Sequence, residues 1–436
     1  MADQVNIIWF RRDLRLQDNA ALYHALKAGK PVVPLFIFDR NILDLLEDKL
    51  DRRVEFIRAA INEMQQDLVN LKSSMEVYYG FPHEIFEQIC NKYKVAEVFS
   101  NHDYEPYATE RDSEIKDLLH KHDVQFSTYK DEVIFEKGEV LKDDGTPYTV
   151  FTPYSKKWKA TMKDFYLKSY PCNKFYKAFY KQEALPVPTL EQMGFQPVKQ
   201  PFPSKMLQED IVKKYSENRN FPGNETSTSR LGVHLRFGTI SIRQLASIAT
   251  GLNETYLNEL IWRDFYQMIL WHFPRVGKGH AFRTEYEHIQ WRNNENEFSH
   301  WCEGTTGYPI VDAGMRELNS TGFMHNRVRM IVASFLTKHL LTDWRWGEAY
   351  FAQKLLDFDL ASNNGGWQWA AGSGVDAAPY FRIFNPYLQT EKFDKHLAYI
   401  KKWVPEFEEP IYPKPIVEHE FARKRALEVY AKTLKK

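Results

Sequence analysis

Cysteine is scarce in this chain: Cys90, Cys172 and Cys302 are the three among 436 residues, and they lie far apart. Such spacing supports neither a disulfide framework nor a thiolate-held metal or iron–sulfur cluster, and it fits a reducing, intracellular setting. No apolar run approaches the length of a membrane span, and the opening Met1-Ala2-Asp3-Gln4 lacks the basic-then-apolar order of a secretory signal. The expectation is a cytoplasmic protein without membrane contact and without a bound metal. Also missing is a G-x-G-x-x-G run after a strand, or a P-loop, so the usual dinucleotide and triphosphate cradles are excluded. Net charge is zero, with 58 basic and 58 acidic side chains. Residues 1–130 hold 17 of the basic and 22 of the acidic ones, so the remainder is the more basic part and the better match for a polyanion.

What is present in quantity is aromatic surface. Phe, Tyr and Trp make up 15% of the chain, with 11 Trp and 24 Tyr. At 436 residues the chain is long enough for two domains and for burying a large ligand. Over 1–130, the apolar runs Val5–Phe10, Val32–Phe38, Glu76–Tyr79 and Val95–Ser100 read as strands. Amphipathic stretches near 19–28, 51–72, 82–94 and 108–122 separate them, which is the pattern of a parallel α/β sheet. From 131 to 204, prolines at 153, 186, 188, 197 and 203 interrupt any long element, and the stretch reads as an interdomain connection. From 205 to 436 the pattern turns helical, with amphipathic segments near 206–218, 241–250, 254–272, 309–320, 323–341 and 346–356. The fold class is therefore α/β: a Rossmann-like parallel-sheet domain, a long linker and an all-α second domain.

Three places in the second domain concentrate chemistry. Asp357 through Trp369 crowds two acids, two amides, two glycines and two tryptophans into a run with neither helical nor strand periodicity. Glycines admit close approach, acids and amides supply fixed hydrogen bonds, and indoles supply π surface, as a flat hydrogen-bonding ring requires. Glu259, Trp262 and Arg263 fall at i, i+3 and i+4 of one helix, and Asn326, Arg329 and Met330 repeat that spacing on another. Thr226 through Gly232 offers hydroxyls, a guanidinium and backbone donors suited to phosphate. A packing role stands beside each reading: a tight loop with core tryptophans, two ordinary helix faces, and an N-cap cluster.

Taken together, these residues resemble the photolyase/cryptochrome family, and within it the class I cyclobutane pyrimidine dimer photolyases of bacteria. The resemblance begins at Trp9-Phe10-Arg11-Arg12-Asp13-Leu14-Arg15 and Asp18-Asn19, and continues through Phe151-Thr152-Pro153-Tyr154 and Thr228-Ser229-Arg230-Leu231. It covers Glu259 through Tyr266, Gly307 through Asp312, Met324 through Met330, Asp357 through Trp369, and Pro379 through Pro386. It implies FAD in the helical domain, working as the fully reduced anionic flavin, and light-driven splitting of pyrimidine dimers in DNA by a monomer. Carried over by motif, Tyr215, Thr228, Ser229, Arg230, Leu231 and Gly232 hold ribityl and phosphate groups. Asp357, Phe358 and Asp359 line the ring, Arg329 pairs with Asp357, Asn326 contributes to the pocket and Asn363 faces flavin N5. Glu259, Trp262, Arg263, Asn326, Arg327, Met330, Arg219 and Trp369 fall on the lesion and DNA side. Trp367, Trp344 and Trp291 match the chain that passes electrons to oxidised flavin.

Two departures bear on this. Tyr107-Ala108 stands where folate-binding members carry Asn-Glu, and Lys278 alone matches a folate-side lysine, so deazaflavin, folate, another flavin or no antenna all remain open. Gly232 stands where relatives often have Ser. The same resemblance admits a signalling cryptochrome as the alternative, and less readily a (6-4) photolyase.

Overall fold

The computed structural model describes residues 4–198 and 200–434. Its chain divides into two compact units. One gathers the residues up to Glu136 with Met162–Met206 and Leu231–Ile248; the other takes Lys137–Thr161, Leu207–Arg230 and the residues from Ala249 onward.

The first unit is built on a five-stranded parallel sheet in the order β3-β2-β1-β4-β5, from β1 (Val5–Phe10), β2 (Val32–Asp39), β3 (Glu76–Gly80), β4 (Val95–Asn101) and β5 (Gln125–Tyr129). Every residue of β1 and β2 is buried, as expected of central parallel strands covered on both faces. Numbering the helices of eight or more residues, α1 (Ala20–Lys27), α2 (Arg52–Asn70), α3 (Pro82–Lys92) and α4 (Pro106–Lys121) connect them. Trp9 packs edge-on against Phe86 at 4.9 Å in the cluster that joins β1 and β2 to α3 and α4. The edge strand β5, with its polar and half-exposed sequence QFSTY, is absent from the expectation drawn from apolar runs.

In such a sheet, ligands bind where the strand order reverses, beyond the carboxyl ends of β1 and β4. Here that crevice is filled by charge. Asp131 accepts from Arg15 at 2.5 Å, from Arg243 at 2.7 Å and from the Ala20 backbone at 3.0 Å. Arg243 also holds Asp18 at 2.8 Å, and Arg12 reaches Asp103, Glu105 and Glu132 at 2.7–3.1 Å. Burial alone would raise the Asp131 carboxyl; Arg15 and Arg243 more than offset that and hold it low. What is left among Arg11, Arg12, Asp13 and Asn101 is a cavity of about 10 Å³, water-sized at most.

The stretch read as a linker is structured throughout much of its length. Within it, Phe151–Thr161 forms α5 in the helical unit. Residues 162–206 lie on the sheet unit, where Tyr180 N–H donates to Val32 O at 2.8 Å and Tyr176 Oη to Leu16 O at 2.9 Å. Prolines stop regular elements there without freeing the chain, because backbone groups find partners on the sheet.

In the second unit, α8 (Glu295–Glu303), α9 (Pro309–Thr321), α10 (Asn326–Ser334), α11 (Trp344–Lys354) and α12 (Leu360–Ala371) contribute to the main core, and α7 (Glu254–His272), α13 (Pro386–Phe393) and α14 (His419–Leu434) complete its long helices; α6 (Ile242–Leu252) begins in the first unit. Two expectations need correction. The Asp357–Trp369 run is mainly helix: α12 covers 360–371, and its buried face carries Asn363, Asn364 and Gln368 beside Ala361 and Trp367, so it shows no apolar stripe to reveal it. The segment expected as one helix over 323–341 is α10 followed by a π-helical turn, Phe335–His339. Among the described residues no helix is long and apolar enough to cross a membrane, and no three or more His, Cys, Asp or Glu side chains are grouped to hold a metal ion.

Candidate functional site

Helix α7 starts where Asn253 caps it, its side chain accepting from Tyr256 N–H at 3.1 Å. Leu257, Leu260, Ile261, Phe265 and Met268 are buried, so the intervening positions bring Glu259, Trp262 and Tyr266 to another face. The Trp262 indole is half-buried and lies flat on Phe151 at 3.7 Å with 4° between planes; Tyr266 follows at 5.3 Å. Glu259 is paired with Arg219, whose guanidinium also lies 5.3 Å from the Tyr215 ring. Burial pushes the Glu259 carboxyl up, and Arg219 works against it. Tyr215 packs edge-on to Tyr256 at 5.0 Å, and the Tyr256 hydroxyl shares a 2.9 Å hydrogen bond with Ser229.

A second group of predicted residues converges at Phe323. Arg230, held at φ 53°, places its guanidinium 4.6 Å from that ring, and Arg329 lies 6.0 Å from it. Arg329 grips Asp357 through one nitrogen at 3.0 and 2.9 Å and donates to Met324 O at 2.7 Å. Asp359 caps α12, accepting from Ser362 N–H at 2.9 Å, and also accepts from Gln267 of α7 at 3.2 Å. Close approach of α7 and α12 depends on Gly365, where a Cβ would sit 2.2 Å from the Tyr266 ring. Asn363 donates to Glu348 O at 3.1 Å. Phe358 is half-buried between these two aspartates.

At the start of α10, His325 caps the helix through Nδ1, 3.1 Å from Arg327 N. Asn326 is exposed. Arg327 donates to Asn220 at 2.7 Å, touches Met330 sulfur at 3.7 Å and lies 4.3 Å from the Phe393 ring. Arg263 and Met330 are half-buried. Thr228 is half-buried as well, whereas Leu231 is buried and Gly232 opens a short helical turn, both grouped with the first unit.

Trp344 and Trp367 are buried in one cluster, and Trp291 packs against it half-buried. Trp367 is seated against Gly347, where any Cβ would lie 2.1 Å from its ring. Trp301, absent from the expectation, sits edge-on to Trp367 at 6.0 Å, and Tyr430 sits edge-on to Trp291 at 6.0 Å. Trp369 packs half-buried against the same cluster, and among the described residues no ring pair joins it to Trp262. Phe151, Tyr266 and Glu348 are further members the sequence reading missed. Phe151 had a signal, as part of a recognised motif; for Glu348 and Trp301 there was none, since only packing brings them to the site.

The donor set can be tested against a flavin nucleotide. Asn258 of α7 buries its Oδ1 without a partner among the described residues, an acceptor awaiting a hydroxyl or amine. The same unit also holds the hydroxyls of Thr228 and Ser229, the Arg230 guanidinium and the Arg329–Asp357 pair, donors and acceptors of the kinds that a ribityl chain, a phosphate and a flavin ring edge require. These groups fit FAD and define a protein that holds a large planar cofactor in an all-helical domain.

Residues 256–410 match the family described as FAD binding domain of DNA photolyase, and residues 6–174 match DNA photolyase. The chain is 37% identical to the deoxyribodipyrimidine photo-lyase of Synechococcus, covering 97% of this chain and 96% of that one. Identity with that of Escherichia coli is also 37%, over 98% of both chains. Among solved structures, a bacterial class III photolyase from Agrobacterium tumefaciens superposes with a TM-score of 0.87 at 32% identity, over 100% of this chain and 99% of that one. A cryptochrome from Synechocystis reaches 0.84 at 23% identity, a likeness of fold. The chain belongs to the photolyase/cryptochrome family.

Proposed function

We propose that this protein repairs cyclobutane pyrimidine dimers in DNA under blue light, with FAD as its cofactor. The observation that carries the reading is the grouping on one face of α7 of the Glu259–Arg219 pair and the half-buried Trp262, with Phe151 stacked behind it. A dimer distorts its duplex and costs least to extrude, a few kcal/mol. Stacking on Trp262 offsets much of that, at roughly 1–3 kcal/mol per base. Arg219, Arg263, Asn326 and Arg327 serve the DNA side, and Met330 and Trp369 complete the lesion pocket. The chemistry supplied by the bound cofactor is donation of an electron from its light-excited reduced form and return of that electron after both linking bonds have split.

Glu259 meets the base carbonyl that gains charge. Burial raises its carboxyl, and Arg219 opposes that rise through its charge and its hydrogen bond. Tyr215, Thr228 to Gly232, Arg329, Asp357, Phe358 and Asp359 hold the cofactor. Asn363 orients the ring edge: its Nδ2 is committed to Glu348 O, which leaves Oδ1 as an acceptor for a ring N–H. Trp291, Trp344 and Trp367 pass electrons inward to restore the reduced cofactor. The three free thiols fit a cytoplasmic setting, and the working form is a monomer, which sedimentation at several concentrations would test.

The deciding experiment exposes chemically reduced protein to an oligonucleotide carrying a defined cyclobutane thymine dimer, with dark and (6-4)-lesion controls. Light-dependent loss of the cyclobutane dimer alone is expected. Flavin binding with no repair of either lesion would move the protein to the photoreceptor class.

A further inference from the structure

Asn363 and Asn364, consecutive on α12, both lean on one residue of α11. Asn363 Nδ2 donates to the Glu348 backbone oxygen at 3.1 Å, and Asn364 Nδ2 donates to the Glu348 carboxyl at 2.8 Å. Asn364 also donates to Val276 O at 3.0 Å and accepts from Gln368 at 3.0 Å. Every other polar side chain in this chain of bonds is an amide, which neither stores nor releases a proton near neutral pH. Glu348 is its one titratable member.

Glu348 itself is half-buried. It has no ion-pair partner among the described residues, although Arg345 lies one turn away. Arg345 is spent elsewhere, on Gly279 O at 2.6 Å, Glu287 at 2.5 Å and Asp343 at 3.1 Å. The site's other carboxyls are committed, Asp357 to Arg329 and Asp359 to the start of α12. Burial pushes the Glu348 carboxyl up to about 7, with Asp343 adding to the rise and Asn364 and Arg345 opposing it. Charged or titratable groups on the neighbouring segments are Lys278, His280 and Glu287 before α8, and Lys338 and His339 in the π-helical turn. Burial drives His339 down to about 3, which removes it as a proton source near neutral pH; burial also drives Lys338 down, and its ammonium donates to Ala371 O at 2.9 Å.

We propose that Glu348 holds and donates the proton taken up at the ring edge facing Asn363 when the tryptophan chain reduces the cofactor. This rests on the reading of Asn363 as the residue at that edge. In the step, the O–H bond of the Glu348 carboxyl breaks, one N–H bond forms on the ring, and a carboxylate remains. The electron arrives separately along Trp291, Trp344 and Trp367 from a thiol reductant in solution, and water then returns a proton to Glu348.

The test uses flavin-loaded protein, wild type beside Glu348→Gln, Glu348→Ala and Glu348→Asp. Glutamine keeps an acceptor for Asn364 and loses the proton, so a merely structural role predicts wild-type behaviour for Glu348→Gln. The expected result is a protonated-carboxyl infrared band that disappears on light-driven reduction of wild type and is missing in Glu348→Gln. Proton uptake by the ring should be about a hundredfold slower in both Gln and Ala variants, the lower end of what a positioned acid contributes, and partly restored in Asp. Wild-type uptake in Glu348→Gln, or an unchanged carboxyl band in wild type, would overturn the proposal while leaving the photolyase reading intact. Wild-type protein that binds no flavin would overturn both.

Discussion

The two units handle buried charge in opposite ways. In the sheet unit, the arginines and acids beyond β1 and β4 close on one another until a water-sized gap is left. In the helical unit, the corresponding pairs stay more open to solvent: Arg329 and Asp357 keep 26% and 18% of their side chains exposed, and Arg219 and Glu259 24% and 29%. A closed network costs desolvation and returns a defined architecture; a pair left open to solvent stays within reach of something that arrives. The position where α/β sheets usually bind ligands is thus blocked, and binding capacity has moved to the helices.

The contrast is broken most severely by Arg243→Ala. Removing it leaves Asp18 and Asp131 buried with fewer partners, at an expected cost of about 3–5 kcal/mol in urea unfolding. A loss below about 1 kcal/mol would show that the network is not a closed unit.

Next in size is a pH effect in the helical unit. Burial, with Arg327 beside it, holds the His325 imidazole down at about 3 against an ordinary 6.5. The unfolded chain therefore binds the extra proton between those values, so stability falls as pH drops through that window. Between pH 7 and 5 the group accounts for about 2 kcal/mol of loss, at about 1.4 kcal/mol per pH unit below 6.5. His325→Asn keeps a cap oxygen for Arg327 N–H and cannot titrate, and its stability should decline less by that amount. Equal declines would remove His325 from the explanation.

Trp262→Ala should weaken binding of dimer-containing DNA by about 1–2 kcal/mol, roughly 5- to 30-fold, with flavin still bound. Unchanged discrimination between damaged and intact oligonucleotides would assign Trp262 to packing on Phe151. The smallest structural effect belongs to Trp291→Phe, half-buried at the rim of its cluster. Its stability should change by under about 1 kcal/mol and repair by protein already reduced should persist, while photoreduction of oxidised flavin slows. Photoreduction at the wild-type rate would take Trp291 out of the electron path.

Where periodicity and capping agreed, the sequence was enough. Val5–Phe10 and Glu254–His272 stand where their apolar patterns put them, because parallel strands buried on both faces and a helix capped by Asn253 advertise themselves locally. Motif order also carried Arg329 to Asp357. The polar edge strand Gln125–Tyr129 and the helix Leu360–Ala371 stayed illegible, one for want of an apolar run and the other because its buried face carries Asn363, Asn364 and Gln368. Tertiary packing alone decided the stack of Phe151 on Trp262, the entry of Tyr266 against Gly365, the closed ion network at the sheet and the placing of Glu348 beneath two asparagines. Each joins residues tens to more than a hundred positions apart or sets a contact distance within ångströms, and neither separation nor fit is written in local periodicity.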